Sequence, residues 1–153
     1  MNSILIVSPK KEGNTYQVAS YLKANSDAEM YVIDGGWKPD IEKYEHIILC
    51  SGIYADKVHC DLVKWLQEID SKKVQKNTKI HLLLTWFGRG KSDLHAMQQV
   101  EKILNEKELC FNINYGTCLG GKSIIRSGHP DGADFSQALS WMREQTNLNF
   151  TNP

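Results

Sequence analysis

The sequence has no surplus of either charge. Among its 153 residues, 18 are Lys or Arg and 18 are Asp or Glu, so the formal net charge is zero. Nucleic-acid binding commonly shows as an excess of basic residues, and docking onto basic partners as an excess of acidic ones. Net charge therefore favours neither class, and we expect no nucleic acid among the partners.

Long apolar runs, low-complexity tracts and internal repeats are also lacking. The longest apolar stretches are no longer than a strand, whereas a membrane-spanning helix needs about 20 apolar residues. The N-terminus carries no pattern of a cleavable signal, so the sequence predicts a cytoplasmic protein without membrane insertion. No linker divides the chain, and residues 1–153 are expected to form a single domain.

Cysteine and histidine patterns that mark metal or catalytic sites are missing. No pair of cysteines shows C-x-x-C spacing, and we expect all four to be reduced and mostly buried: Cys50, Cys60, Cys110 and Cys118. The histidines show no pairing with a nucleophile, so we predict no catalytic residue and no metal ligand among them: His46, His59, His81, His95 and His129.

Strand and helix patterns alternate along the chain. Five short apolar or β-branched runs predict parallel strands covered on both faces: Ile4–Val7, Met30–Ile33, His46–Ser51, Ile80–Thr85 and Cys110–Tyr115. Apolar residues at helical spacing predict four helices, within 15–22, 58–69, 94–104 and 135–142, with Asp131 or Asp134 near the start of the last. The segment 34–44 is too irregular to assign. This alternation predicts a three-layer α/β sandwich with right-handed crossovers.

The first loop has the composition of an anion site. It joins the first strand to the first helix and contains Ser8, Lys10, Gly13, Asn14 and Thr15. The helix beginning near Thr15 directs unpaired N–H groups and the positive end of its dipole at the loop. Gly13 permits close backbone approach, and the polar side chains supply further donors. The loop therefore predicts a phosphate site, although an ordinary strand-to-helix turn has the same pattern.

Two further loops combine aromatic residues with glycine. In a sheet of this type, ligands bind beyond the carboxyl ends of the strands, where the winding reverses. The loops that follow the third and fourth strands reach this edge: residues 51–57, with Tyr54, and residues 85–91, with Trp86 and Phe87. Any one of these aromatic side chains could serve only to cover the end of the sheet. Three of them beside a phosphate loop instead favour a binding site for a flat aromatic ligand.

The same loops carry a family resemblance. Residues 8–15 read Ser-Pro-Lys-Lys-Glu-Gly-Asn-Thr, similar to the S-P-R-K-x-G-N-T form of flavin reductases and to the G-N-T ending of flavodoxin loops. Residues 51–54 and 128–131 resemble two other segments of flavodoxin-domain proteins. The chain, from residue 4 to about residue 145, thus resembles the flavodoxin-like FMN-binding flavoproteins, which include short-chain flavodoxins and NAD(P)H-dependent FMN reductases.

The resemblance implies a fold, a cofactor and a set of contacts. The implied fold is a flavodoxin-like αβα sandwich around a five-stranded parallel sheet of order 2-1-3-4-5, and the implied cofactor is FMN. It implies phosphate contacts at Ser8, Lys10, Gly13, Asn14 and Thr15. It also implies ring contacts at Ser51, Gly52, Ile53, Tyr54, Thr85, Trp86, Phe87, Gly88, Arg89 and Gly90. Glu12 departs from flavodoxins proper, because its carboxylate would repel a phosphate unless it turns away.

Three functions are compatible with the resemblance. The first is a one-electron carrier acting through the flavin semiquinone, with redox partner proteins or a small-molecule electron acceptor. The second is an NAD(P)H-dependent FMN or quinone reductase, which the reductase-like first loop supports. The third is a flavin-free interaction scaffold, in which Glu12 has abolished cofactor binding. Of these we favour the carrier.

The sequence also bears on two other classes of protein that bind or accept phosphate, the P-loop nucleotide-binding proteins and the response-regulator receivers. Residues 116–123 satisfy the G-x-x-x-x-G-K-S pattern of a nucleotide-binding loop. That loop requires a helix next, but residues 124–130 are β-branched and then broken by Gly128 and Pro130, which disfavours an ATPase or GTPase. A response-regulator receiver needs a phosphoacceptor Asp at the end of the third strand. This chain has Cys50-Ser51 there, which excludes a receiver.

Overall fold

The computed structural model describes residues 3–35, 37–121 and 128–146. These residues form a six-stranded parallel sheet in which five strands follow the order β2-β1-β3-β4-β5 and β6 pairs with β4. The strands are β1 (Ile4–Ser8), β2 (Glu29–Val32), β3 (His46–Gly52), β4 (Lys79–Trp86), β5 (Cys110–Phe111) and β6 (Gly116–Leu119). The helices are α1 (Gly13–Ala24), α2 (Cys60–Glu68), α3 (Ser92–Glu106) and α4 (Gly132–Thr146). The predicted flavodoxin-like α/β fold is confirmed.

Two apolar cores lie on the two faces of the sheet because side chains alternate along each strand. Leu5, Ile47 and Leu82 pack on one face with residues of α2 and α3. Their neighbours Ile6, Ile48 and Leu83 pack on the other face with residues of α1 and α4. All six are essentially fully buried. The continuous apolar runs seen in sequence are therefore central strands covered on both sides, and they hold the loops at the carboxyl edge in place.

The prediction of one continuous fifth strand is wrong. Instead of one strand over residues 110–115, β5 has two residues and pairs with the start of β4, while β6 pairs with the end of β4. Between them the Asn112 side chain accepts a hydrogen bond from the Asn114 N–H (3.0 Å) and donates one to the Gln145 Oε1 (2.8 Å). Such side-chain bonds compete with the strand ladder, and here they interrupt it.

The strand β6 also bears on the nucleotide-loop alternative. Gly116, Thr117, Cys118 and Leu119 form an extended strand rather than a loop, with Thr117 opposite Leu84 of β4. The first half of the G-x-x-x-x-G-K-S pattern is therefore part of the sheet. Lys122, Ser123 and the residues up to 127 lie outside the described residues.

The connection between β2 and β3 holds no α-helix among its described residues. It contains a single 3₁₀ turn, Ile41–Lys43, in which the Asp40 side chain accepts a hydrogen bond from the Glu42 N–H. Helix α4, in contrast, begins with a reciprocal pair: the Asp131 carboxylate accepts from the Asp134 N–H (3.0 Å), and the Asp134 carboxylate accepts from the Asp131 N–H (2.8 Å). Both acids proposed from sequence thus cap this helix.

The cysteines only partly match expectation. All four are free thiols, with Cys50 and Cys118 buried but Cys60 and Cys110 exposed. The prediction that most are buried is wrong for the latter two, because Cys60 is the first residue of α2 and Cys110 lies on the edge strand β5. In the described part of the chain, no helix has the length and apolar character needed to cross a membrane.

Gly116 provides a test of how closely β6 packs on α4. A Cβ at this position would lie 2.7 Å from the Trp141 ring and 3.0 Å from Leu83 Cδ1. Gly116→Ala should lower the free energy of unfolding by about 1–3 kcal/mol, the usual effect of overpacking a core, as measured by urea denaturation. Gly132→Ala is the control, since nothing lies within 4 Å of its Cβ position. An unchanged stability of Gly116→Ala would contradict this packing.

Candidate functional site

The carboxyl ends of β1, β3 and β4 surround a cavity of about 510 Å³. Three loops form its walls: residues 8–15 after β1, residues 52–59 after β3, and residues 85–92 after β4. The predicted residues that line it are Lys10, Gly13, Asn14, Thr15, Gly52, Ile53, Tyr54, Thr85, Trp86, Phe87 and Arg89. The fold therefore brings together most of the residues proposed from sequence, and its size is typical of small-ligand sites.

The first loop ends at the N-terminus of α1. The helix begins at Gly13, two residues before the predicted start, and the φ of Gly13 is +84°, a value that glycine adopts without strain. Glu12 occupies the N-cap position in an extended conformation, but its side chain makes no capping hydrogen bond. The first turn contains no acidic residue. The positive end of this helix thus lies at the cavity, next to the exposed carboxylate of Glu12.

Asn14 and Thr15 connect the first loop to distant parts of the chain. The Asn14 Nδ2 donates to the Gly121 carbonyl at 2.8 Å, and the Thr15 and Thr85 hydroxyls are 2.8 Å apart. These side chains therefore bond to other loops rather than to the N–H groups of their own helix. They join the loop after β1 to the segments that follow β4 and β6, at the cavity that the three loops line.

Four predicted residues do not line the cavity: Ser8, Ser51, Gly88 and Gly90. The Ser8 hydroxyl is fully buried and donates to the Lys10 carbonyl at 3.0 Å. The Ser51 hydroxyl, also fully buried, donates to the Gly52 carbonyl (2.7 Å) and accepts from the His59 N–H (2.9 Å). The two serines shape the loops from behind, while the two glycines have φ of +79° and +69° and turn the third loop.

The second loop is a tight hairpin that projects an aromatic ring. Reciprocal backbone bonds join Tyr54 and Lys57 (2.7 and 3.0 Å). The Tyr54 ring is 54% exposed, and it meets the His59 ring edge-on with centroids 5.4 Å apart. Its hydroxyl would lie only 3.0 Å from a Cβ on Gly52. The ring therefore lies across Gly52 at the mouth of the cavity.

The third loop adds two more aromatic residues. Trp86 ends β4 and is half-buried, whereas Phe87 is 38% exposed. Both line the cavity together with Arg89. The arrangement offers apolar ring surface on one part of the wall and a helix N-terminus on another, which suits a ligand with an aromatic part and an anionic part.

Sequence reasoning missed several lining residues: Pro9, Ala55, Asp56, His59, Ser92 and Gly120. His59 had been assigned to a helix, but it is the N-cap of α2, and its Nδ1 accepts from the Asp61 N–H at 3.0 Å. Gly120 was considered only as part of the nucleotide-loop pattern, which was disfavoured, although its position directly after a strand was a usable signal. Ser92 gave no signal, because only the tertiary fold brings the start of α3 to this edge.

Positive charge predominates around the mouth. Lys10, Lys11, Arg89 and Lys91 are all exposed on the first and third loops. The carboxylates in these walls are those of Glu12 and Asp56. Hydrogen bonds from Ser92 first, and then from His95, hold the pKa of Asp56 below its usual value. The mouth as a whole therefore favours an anionic ligand.

Two groups of side chains among the described residues have the proximity of metal ligands: His59, Cys60 and Asp61, and His129, Asp131 and Asp134. In the second, the His129 Nδ1 lies 2.5 Å from the Asp134 carboxylate, which also caps α4. In the first, the His59 Nδ1 caps α2. These helix-capping bonds account for both groups.

Comparison with known proteins agrees with this fold. The model of the flavodoxin domain family matches residues 5–117. No curated protein matches the chain. A WrbA-like flavodoxin from Agrobacterium tumefaciens has 14% identity and a TM-score of 0.74, with 97% of each chain covered.

Two further solved structures are similar to the chain. The flavodoxin of Fusobacterium nucleatum bound to flavin mononucleotide has 18% identity and a TM-score of 0.61, covering 95% of this chain and 96% of its own. The Trp repressor binding protein of Bacillus subtilis has 18% identity and a TM-score of 0.63, covering 91% of this chain and 99% of its own. At these identities the structures support the fold, and the family match covers most of the chain. The chain belongs to the flavodoxin domain family.

Proposed function

We propose that the protein binds FMN at the carboxyl edge of its sheet and acts as an electron-transfer flavoprotein. The observation that supports this most directly is the shared cavity of the three loops, with the N-terminus of α1 in one wall and aromatic side chains in the others. A flavodoxin related in fold is bound to the same cofactor. In this proposal no side chain of the protein reacts covalently, because the cofactor supplies the redox chemistry when bound.

The first loop fits a phosphate. Backbone N–H groups at the start of α1 have no intrahelical acceptors, and the φ of Gly13 opens the backbone to close approach. Lys10 and Thr15 also line the cavity. Glu12 opposes binding electrostatically, but its exposed side chain can turn into water, where the repulsion is screened. The donors therefore outnumber the single opposing carboxylate.

The second and third loops fit an aromatic ring. Tyr54, Trp86 and Phe87 line the cavity, and the two exposed rings, those of Tyr54 and Phe87, can stack or pack edge-on against a bound ring. Covering the ring in this way removes water from one or both faces. The local dielectric then falls, and the protein thereby influences which charge state of the cofactor is favoured.

The positive mouth supports a second candidate, an NAD(P)H-dependent FMN or quinone reductase. Lys11 and Lys91 are exposed near the cavity but do not line it. They would remain available to an anionic second ligand after a phosphate has engaged Lys10. Such a ligand would have to place a hydride donor over the ring, which requires space beside Tyr54.

The cofactor prediction is tested with protein purified without added flavin. It should be yellow, or should bind FMN stoichiometrically in a titration followed by quenching of flavin fluorescence. Glu12→Gln should bind FMN more tightly because it removes a negative charge near the phosphate. Absence of a flavin spectrum together with no binding by either protein would contradict the proposal and would favour the interaction scaffold.

The carrier and reductase candidates differ in the number of electrons transferred in one step and in turnover with a reduced nicotinamide. A carrier should accumulate a one-electron-reduced form during stepwise reduction and should not turn over with a reduced nicotinamide. A reductase should oxidise the nicotinamide rapidly in the presence of free flavin or a quinone. Stopped-flow spectra with dithionite and with NADH or NADPH therefore separate them.

A further inference from the structure

The hairpin in the second loop has an unfavourable backbone conformation. Its two central residues, Ala55 and Asp56, have φ of +49° and +66°. Two successive positive φ values are those of a type I′ turn, whose central positions are normally Asn or Gly. Alanine has neither the freedom of glycine nor a side chain that bonds locally in this region. The turn therefore needs support from outside its own sequence.

α3 supplies support at two places: Ser92 and His95 contact the Asp56 carboxylate within the turn, and the Gln99 Oε1 accepts from the Val58 N–H, directly after the turn, at 2.9 Å. The Ser92 hydroxyl donates to one oxygen of Asp56 at 2.5 Å, and the His95 Nδ1 lies 3.2 Å from the other oxygen. Ser92 and His95 are spaced three apart on the helix, so both face the turn. Two oxygens held by two side chains fix the orientation of Asp56, and with it the backbone that carries Tyr54.

The arrangement contains the residue types of a hydrolytic triad but not its geometry. A nucleophilic serine must be bonded to the histidine that accepts its proton. Here Asp56 stands between the two, and the Ser92 hydroxyl donates to the carboxylate rather than to His95. The bonds in this group therefore orient Asp56 and do not activate Ser92 as a nucleophile.

We propose that Asp56 is a positioning residue: its bonds to Ser92 and His95 hold the strained 54–57 turn against α3 and thereby present the Tyr54 ring to the ring of the bound cofactor. This role rests on the proposed function, because it assigns the turn to ring recognition. It extends that function by predicting that α3 holds the second loop in the position in which this loop forms a wall of the cavity. The ligand-free protein should already hold the turn in place.

The first experiment needs no cofactor. The N–H groups of Tyr54 and Lys57 are bonded across the turn, so their hydrogen-exchange rates report its opening. His95→Ala should speed both rates about two- to fivefold, as expected for loss of one exposed polar contact. The double variant, Ser92→Ala with His95→Ala, should speed them about tenfold. Gln98→Ala changes an exposed side chain of the same helix that takes no part in the Ser92, His95 and Gln99 contacts, so it should leave both rates unchanged. Unchanged rates in the double variant would overturn the proposal whether or not FMN binds.

A variant within the turn tests whether strain is the reason for the bonds. Asn tolerates positive φ better than Ala, so Ala55→Asn should slow exchange and should reduce the effect of His95→Ala in a double-mutant cycle. Equal effects of His95→Ala in the two backgrounds would show that the bonds do not offset backbone strain. This result would overturn the positioning mechanism.

The second experiment measures ligand affinity. Since the turn is assigned to the ring and not to the phosphate, His95→Ala should weaken the binding of FMN and of riboflavin by the same factor, about two- to fivefold. His95 does not line the cavity, so it acts only through the turn. Faster exchange without any loss of affinity would overturn the assignment to ring recognition. If neither flavin binds to the unmodified protein, the proposed function fails, while the exchange result still decides the role of the bonds.

Discussion

Thr15→Ala is expected to weaken FMN binding by about ten- to a hundredfold and riboflavin binding by far less. A hydrogen bond to a charged group contributes about 1.5–3 kcal/mol, and about 1.4 kcal/mol corresponds to a factor of ten in affinity. Thr15 lies in the first turn of α1, in the wall assigned to the phosphate. Riboflavin has no phosphate, so it cannot lose this bond. Isothermal titration with the two ligands measures the difference.

The structure adds a control that the sequence could not supply. The Thr15 hydroxyl lies 2.8 Å from that of Thr85, so Thr15→Ala also removes a link between two loops. Thr85→Val removes the same link and keeps the Thr15 hydroxyl. It should therefore affect FMN and riboflavin equally and more weakly. If Thr15→Ala lowers both affinities by one factor, the first loop has been assigned to the wrong part of the ligand.

Local patterns in the sequence were sufficient for the central sheet and the three loops. The runs at Ile4, His46 and Ile80 are continuous and apolar because both faces of these strands are buried. A fold of this class places the ends of such strands at one edge. The loops were therefore predictable as a group, and the structure brings most of their proposed residues to a common cavity.

The details that shape the cavity depend on contacts between distant residues. The bond from Asn14 to Gly121 spans 107 positions, and that between Thr15 and Thr85 spans 70. No local pattern carries such information. The bonds of Asp56 and the interruption of the last strand at Asn112 likewise depend on partners that only the tertiary fold supplies. Sequence therefore predicted which loops line the cavity but not which side chains support them.

A buried histidine pair lies at the opposite, amino-terminal edge of the sheet. His46 of β3 and His81 of β4 are almost completely buried, and their rings are joined by a 3.0 Å bond between His46 Nδ1 and His81 Nε2. The other nitrogen of His81 lies 3.0 Å from the Asn112 Nδ2, which also donates to Gln145. An amide NH₂ can only donate, so His81 accepts at Nδ1 and carries its proton on Nε2. The whole chain of bonds requires a neutral His81.

This pair should make stability fall steeply in acid. Burial, followed by repulsion from His46 and Lys79, lowers the pKa of His81 from 6.5 to about 3, and burial also lowers the pKa of His46. Below pH 6.5 the unfolded chain binds a proton at His81 that the folded chain does not. Stability is therefore present in full above pH 6.5 and is lost as pH falls towards 3, by about 1.4 kcal/mol per pH unit for His81 alone.

Urea denaturation at several pH values between 7 and 4 measures this slope. His81→Gln keeps a polar side chain but cannot titrate, so the free energy of unfolding should depend on pH less steeply, by about 1.4 kcal/mol per pH unit. The pH dependence that remains is due to His46 and the carboxylates. Gln98→Ala is the control, because it changes an exposed side chain of α3 that carries no ionisable group, and it should leave the slope unchanged. An identical slope in His81→Gln and the unmodified protein would show that His81 is protonated in the folded state, which the direction of its bond with Asn112 does not allow.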